Sequence, residues 1–109
     1  MPTALTLDTT RDDAGNPVLI ARGEIDLSNI DAFSQALVTA ATEAAEDGGS
    51  LTVDLSAVEY LDSAAINALS AQSECIRKLV AHPLLMSTVA ISGLNELVTI
   101  EPAPSTAER

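Results

Sequence analysis

Residues 4–8, ALTLD, alternate apolar and polar side chains, the two-residue period of a half-buried strand. Arg11 to Pro17, RDDAGNP, sets Ala-Gly-Asn-Pro after two aspartates and predicts a turn. A second, more uniformly apolar strand is predicted over 18–22, VLIAR, with Gly23 to Ser28 leading out of it. So short a loop joins antiparallel neighbours. The period then lengthens. Ile30, Phe33, Leu37, Ala40, Ala41 and Ala44 recur at three- and four-residue spacing and give one apolar stripe of a helix. Ser28 or Asn29 can cap it, Asp31 suits the positive end of its dipole, and Asp47-Gly48-Gly49-Ser50 ends it.

Residues 51–55, LTVDL, predict a third strand, parallel to the second because a helix lies between them. Ser56 to Leu61 read as a short polar connection. From Asp62 or Ser63 a second helix is predicted, with apolar positions Ile66, Leu69, Ile76, Leu79 and Val80, ending before His82-Pro83. Residues 84–91, LLMSTVAI, read as a last strand, again parallel. Gly93 breaks it, and Leu94, Leu97, Val98 and Ile100 suggest a short third helix over the sheet edge. The order β-β-α-β-α-β-α predicts a single α/β domain: a mixed, mostly parallel sheet with an antiparallel first strand, packed with three helices. The domain is expected over 1–101, with 102–109 as a flexible tail.

Composition narrows the function classes. Aromatic residues are 2% of the chain, so a base-stacking surface has only Phe33 and Tyr60 to draw on. The formal charge is −11, from 16 acidic and 5 basic residues, and the basic ones form no block. A nucleic acid would be repelled over most of this surface, so direct nucleic-acid binding is not expected. The acidity fits solubility first and a basic partner second, and the two are compatible. Cys75 stands alone, without a cysteine to pair with or a cysteine cluster to bind metal. The start, MPTALTLDTT, lacks the basic and apolar regions of a signal peptide, and no apolar run reaches the roughly 20 residues that span a bilayer. A cytoplasmic location, without membrane insertion, is the expectation.

Candidate chemistry is sparse. There is no Gly-x-Gly-x-x-Gly and no Gly-Lys-Ser/Thr, and no cofactor is expected. His82, the single histidine, sits beside Pro83 in a loop and suits a surface residue better than a catalytic base. A triad drawn from Ser63, His82 and Asp62 is a weak signal, because adjacent Asp62 and Ser63 cannot both orient one imidazole, and a small hydrolase using Ser63 ranks as the third reading. Glu24, Asp26, Asp54 and Asp62 follow strand ends that share one rim of a parallel sheet. Without the oxygen-rich spacing of a calcium loop they read as a solvated acidic rim, not a metal site.

The informative stretch runs Val53-Asp54-Leu55-Ser56-Ala57-Val58-Glu59-Tyr60-Leu61-Asp62-Ser63-Ala64-Ala65-Ile66. It places Ser63 at the start of a helix, where Asp62 or Ser63 can serve as a cap. A phosphate on that serine would face free N–H groups and a dipole, and would disturb a docked partner by repulsion and desolvation. Capping and switching are compatible roles.

Three motifs in this order resemble the STAS family, named for sulphate transporters and anti-sigma-factor antagonists. Gly23-Glu24-Ile25-Asp26 is similar to its Gly-Glu-hydrophobic-Asp, and Val53 to Val58 to its Asp-Leu-Ser-x-Val strand end. Tyr60-Leu61-Asp62-Ser63 is similar to its hydrophobic-Asp-Ser. The resemblance spans residues 4–100. It implies a non-enzymatic antagonist that binds a partner anti-sigma factor, itself a serine kinase, until Ser63 is phosphorylated. A phosphatase then resets it. It also implies that Asp62 shapes the loop, and that Asp26 and Glu24 lie with Asp62, Ser63, Ala64 and Ala65 at the partner-binding surface. A non-switching scaffold that binds a lipid-transport ATPase is the alternative within the family. The family commonly has Asp-Ser-Ser-Gly-hydrophobic where this chain has Asp62-Ser63-Ala64-Ala65-Ile66. The second hydroxyl is lost, and Ala65 is expected to put a methyl group where a kinase or phosphate approaches. The sequence leaves the oligomeric state open.

Overall fold

The computed structural model describes residues 5–46 and 48–103. Five strands form one sheet in the order β1 (Leu5–Arg11), β2 (Pro17–Ile25), β3 (Leu51–Leu61), β4 (Ile76–Ala81) and β5 (Thr99–Pro102). The first pair is antiparallel and the rest are parallel, as the loop lengths predict. Helices α1 (Ile30–Glu46), α2 (Ser63–Ala71) and α3 (Met86–Ser92) connect the parallel strands. Every parallel step moves the same way across the sheet, and right-handed crossovers therefore put all three helices on one face. The buried strand residues, among them Leu19, Ala21, Val53, Leu55 and Leu79, all face that layer. No element among the described residues covers the other face, which is uncommon for parallel strands. Among the described residues it carries the ion pairs of Arg22 with Asp8 at 3.1 Å and Lys78 with Glu101 at 3.6 Å.

The apolar stripe of α1 is confirmed. Phe33, Leu37, Ala40, Ala41 and Ala44 are all buried, and Gly48 takes the left-handed conformation after the helix, while Asp47 lies outside the described residues. The β1–β2 turn is held by Asp12. Its Oδ1 accepts the backbone N–H groups of Ala14 and Asn16, each at 2.9 Å. Strand β1 runs further than predicted, to Arg11, and Ala4 lies outside the described residues.

Four expectations need correction. First, β3 does not stop at Leu55, and the expected connection from Ser56 to Leu61 is strand. Its register against β2 shifts twice, between Ile20 and Arg22 and again between Gly23 and Glu24, each time with an extra residue in β3. Two bulges turn the buried series from 51, 53, 55 to 58, 61, which hides the alternation. Second, the helix from Ser63 ends at Ala71, and Ile76, Leu79 and Val80 belong to β4. Apolar residues three and four apart bridged a short helix and a strand. Third, residues 84–91 are not a strand: a 3₁₀ turn over Pro83–Leu85 leads into α3, which buries Val89 and leaves Ile91 87% exposed. A short apolar run does not declare its period. Fourth, the third helix expected over 94–100 is a 3₁₀ turn, Leu94–Glu96, followed by β5. The order of elements survives these corrections, with β5 added. Pro102 belongs to β5, Ala103 donates to the Ala81 carbonyl at 2.8 Å, and the rest of the expected tail, 104–109, lies outside the described residues. Among the described residues, no helix is long and apolar enough to cross a membrane.

Candidate functional site

The second bulge of β3 lies opposite Gly23, whose φ of 110° is one that a residue with a Cβ rarely adopts. There the backbone of β2 twists and then buries Ile25 beside Leu61. The chain leaves β2 through a tight loop tied by its own polar groups. Asp26 Oδ1 accepts from Ser28 N at 2.9 Å and from Ser28 Oγ at 2.6 Å. Asn29 Oδ1 accepts the Asp26 N–H at 3.0 Å, and Asn29 Nδ2 donates to the Glu24 carbonyl at 2.9 Å. The Asn29 carbonyl takes the first helical bond of α1, from Phe33 N at 3.2 Å.

Asp62 joins this loop to the next helix. Its N–H donates to the Ile25 carbonyl at 3.2 Å, and its Oδ1 accepts the Ala65 N–H at 3.2 Å. Asp62 is thus the N-cap of α2, satisfying one of the N–H groups that a helix start leaves unpaired. Ser63 is the first residue of the helix, and it is exposed. A partner protein can reach it.

Glu24, Asp26 and Asp62 do gather along this rim, but Asp54 does not. It lies in mid-strand, opposite Ile20 on one side and Val80 on the other. Its Oδ1 accepts the Ser56 N–H at 2.9 Å, at the first bulge of β3. In this chain Asp54-Leu55-Ser56 therefore forms a bulge closed by a carboxylate. Ala64 is half-buried and Ala65 is fully buried in the core. The Ala65 methyl group fills the interior and does not stand where a kinase or phosphate would approach. The side chain of His82 accepts the Leu84 N–H on Nδ1 at 3.0 Å, capping the turn that leads to α3. Among the described residues, no three His, Cys, Asp or Glu side chains are grouped to hold a metal ion.

Beside Ser63 a groove of about 440 Å³ opens between α2 and α3. Leu61, Ile66 and Ile91 give it apolar surface, and Asp62, Ser63, Asn67, Thr88 and Ser92 give it polar edges. The wall formed by α3 is absent from the sequence reading because 84–91 reads as a strand. Pro83 at the opening of the turn and Gly93 just past the helix, at φ 81°, are the start and stop signals that mark it.

A two-layer α/β domain with an exposed serine at a helix start, on the rim where parallel strands end, is the class defined by this geometry. The chain belongs to the STAS domain family: the family model described as "Mlab, STAS domain" matches residues 9–99. Among solved structures, it is similar to an anti-sigma factor antagonist from Mycobacterium paratuberculosis. The TM-score is 0.79 at 26% identity, over 96% of this chain and 90% of that one. A protein from Thermotoga maritima, described as a proposed anti-sigma factor antagonist, shares the fold at a TM-score of 0.65 and 14% identity, over 94% of this chain and 89% of that one. The anti-sigma factor antagonist SpoIIAA in its unphosphorylated form shares it at 0.64 and 16%, over 96% and 91%. Comparison with curated proteins gives no match.

Proposed function

We propose that this chain is an anti-sigma-factor antagonist that works in the cytoplasm by binding, without catalysis of its own. Its partner is an anti-sigma factor with serine kinase activity, and phosphorylation of Ser63 ends the complex until a phosphatase restores it. The exposed position of Ser63 directly after the Asp62 cap, beside the α2–α3 groove, carries this reading. Two likenesses support it: a structure at 26% identity is named as an antagonist, and another is named for its unphosphorylated form.

The physical basis is simple. A phosphate adds about two negative charges at neutral pH. On Ser63 it would crowd the Asp62 carboxylate at the mouth of the groove, and a partner could seat only by stripping water from the dianion. Incubation with the cognate kinase and ATP, followed by mass spectrometry, tests the assignment. Phosphate on Ser63, and loss of both labelling and release in Ser63→Ala, is expected. Phosphate on another residue, with Ser63→Ala labelled as before, would sink it.

A second reading stays within the STAS family to which the chain belongs. In it the same rim binds a transport ATPase of a lipid ABC system, and Ser63 is a contact residue that is never modified. Co-purification separates the two, since an ATPase with its permease comes down in one case and a small kinase in the other.

A further inference from the structure

Every Lys and Arg among the described residues sits on a strand: Arg11 in β1, Arg22 in β2, Arg77 and Lys78 in β4. The helices carry none. Instead α1 bears Asp31, Glu43 and Glu46, and the rim adds Glu24, Asp26 and Asp62. Arg11 pairs with Pro17 on the face that carries Leu7 and Leu19, so the helical side is not without a cation, but Glu24, Asp26 and Asp62 make the rim beside the α2–α3 groove acidic. Helix α3, MSTVAIS, has no charged residue, and its Ile91 is 87% exposed on the groove wall. An aliphatic side chain so placed gains most by being covered by another apolar group. Asn67 and Thr88 on the groove edges offer polar groups to whatever backbone passes over it.

We infer that the groove seats an aliphatic side chain from a positively charged amphipathic segment of the partner protein, with Ile91 as its anchor. This rests on the reading of the Ser63 rim as the partner-binding surface, and it adds the partner's chemistry. Attraction and seating are then carried by different parts of the surface. The acidic rim draws the partner in over distances set by salt screening, and so governs the on-rate. The groove holds it, and so governs the off-rate. A phosphate on Ser63 leaves the long-range attraction in place and obstructs the groove mouth, so phosphorylation raises the off-rate and spares the on-rate.

The test uses the full chain, labelled with ¹⁵N, and three synthetic peptides of about 16 residues, long enough for a marginal helix. One is a lysine–leucine peptide with its leucines on one face, one a lysine–serine peptide of equal charge, and one a glutamate–leucine peptide. The first is expected to shift the amides of Asn67, Thr88 and Ser92. Its affinity should fall about tenfold or more as salt rises from about 0.05 to about 0.3 M. Ile91→Asp, at an exposed position outside the core, should weaken it about tenfold with the rest of the spectrum unchanged. The inference is overturned if the lysine–serine or the glutamate–leucine peptide binds equally well. It is overturned too if no peptide binds, if the shifts fall on α1 or the open sheet face, or if Ile91→Asp binds like the parent. None of these titrations involves modification of Ser63. Failure here leaves the kinase assay standing, and failure of the kinase assay leaves the titrations to be judged by themselves.

Discussion

Between Leu51 and Leu55, β3 has β2 on one side and β4 on the other, and its side chains alternate strictly between the core and the open face. From Ser56 to Leu61 it keeps β2 but runs past its last pairing with β4. Two extra residues make every third side chain buried, Val58 and then Leu61, while Glu59 and Tyr60 are exposed. The lower half is positioned by packing from both neighbours. The upper half is positioned by hydrogen bonds to irregular backbone, and it delivers Asp62 and Ser63 to the rim beside the end of β2. The difference shows how one strand serves both as scaffold and as mount for a surface site.

The contrast can be broken by substitution. Leu55→Ala, in the lower half, should cost about 3 kcal/mol in denaturant unfolding, because the fully buried side chain leaves a cavity among rigid neighbours. Tyr60→Ala, in the upper half, should stay within about 0.5 kcal/mol. Equal losses would show that the extension is as tightly packed as the sheet centre. Asp54→Ala comes next, at about 1–2 kcal/mol, because the Ser56 N–H at the bulge loses its acceptor. Asp54→Asn should recover most of that loss, since the amide oxygen accepts the same bond.

Smaller again, Asp62→Ala should cost about 1 kcal/mol and loosen the first turn of α2, seen as faster amide exchange at Ala65. The smallest effect lies far from the rim. The Asn16 backbone N–H, ahead of the Ala14 N–H and the Arg77 guanidinium, holds the Asp12 carboxyl below its usual value of 3.8. A lowered native pKa means that this contribution to stability is fully present above the unfolded value and fades as pH falls through the folded one. An NMR titration should therefore place the Asp12 midpoint below 3.8, and Asp12→Asn should flatten the acid limb of the stability curve slightly.

Much of this fold is legible in the sequence, for reasons that differ by region. Helix α1 declares itself because Phe33, Leu37, Ala40, Ala41 and Ala44 form one stripe over 17 residues, long enough for the period to be unmistakable. Ser63 is legible because an aspartate cap before an apolar helix is a local signal. The second half of the chain is harder because its elements are short. Helix α2 has nine residues and α3 seven, and at that length helical and extended spacing coincide. Bulges are not encoded in periodicity at all, so the upper half of β3 reads as a loop. Asp54 closes a bulge instead of joining the rim, through a hydrogen bond from the Ser56 N–H that no sequence period announces.

Each strand of this sheet is laid down beside the one made just before it. No strand has to be threaded between two that are already paired, and no pairing waits for a distant part of the chain. Such a topology keeps loop closures modest, which favours fast assembly. During synthesis, each newly emerged strand would find a finished edge ready to receive it, from the β1–β2 hairpin onward.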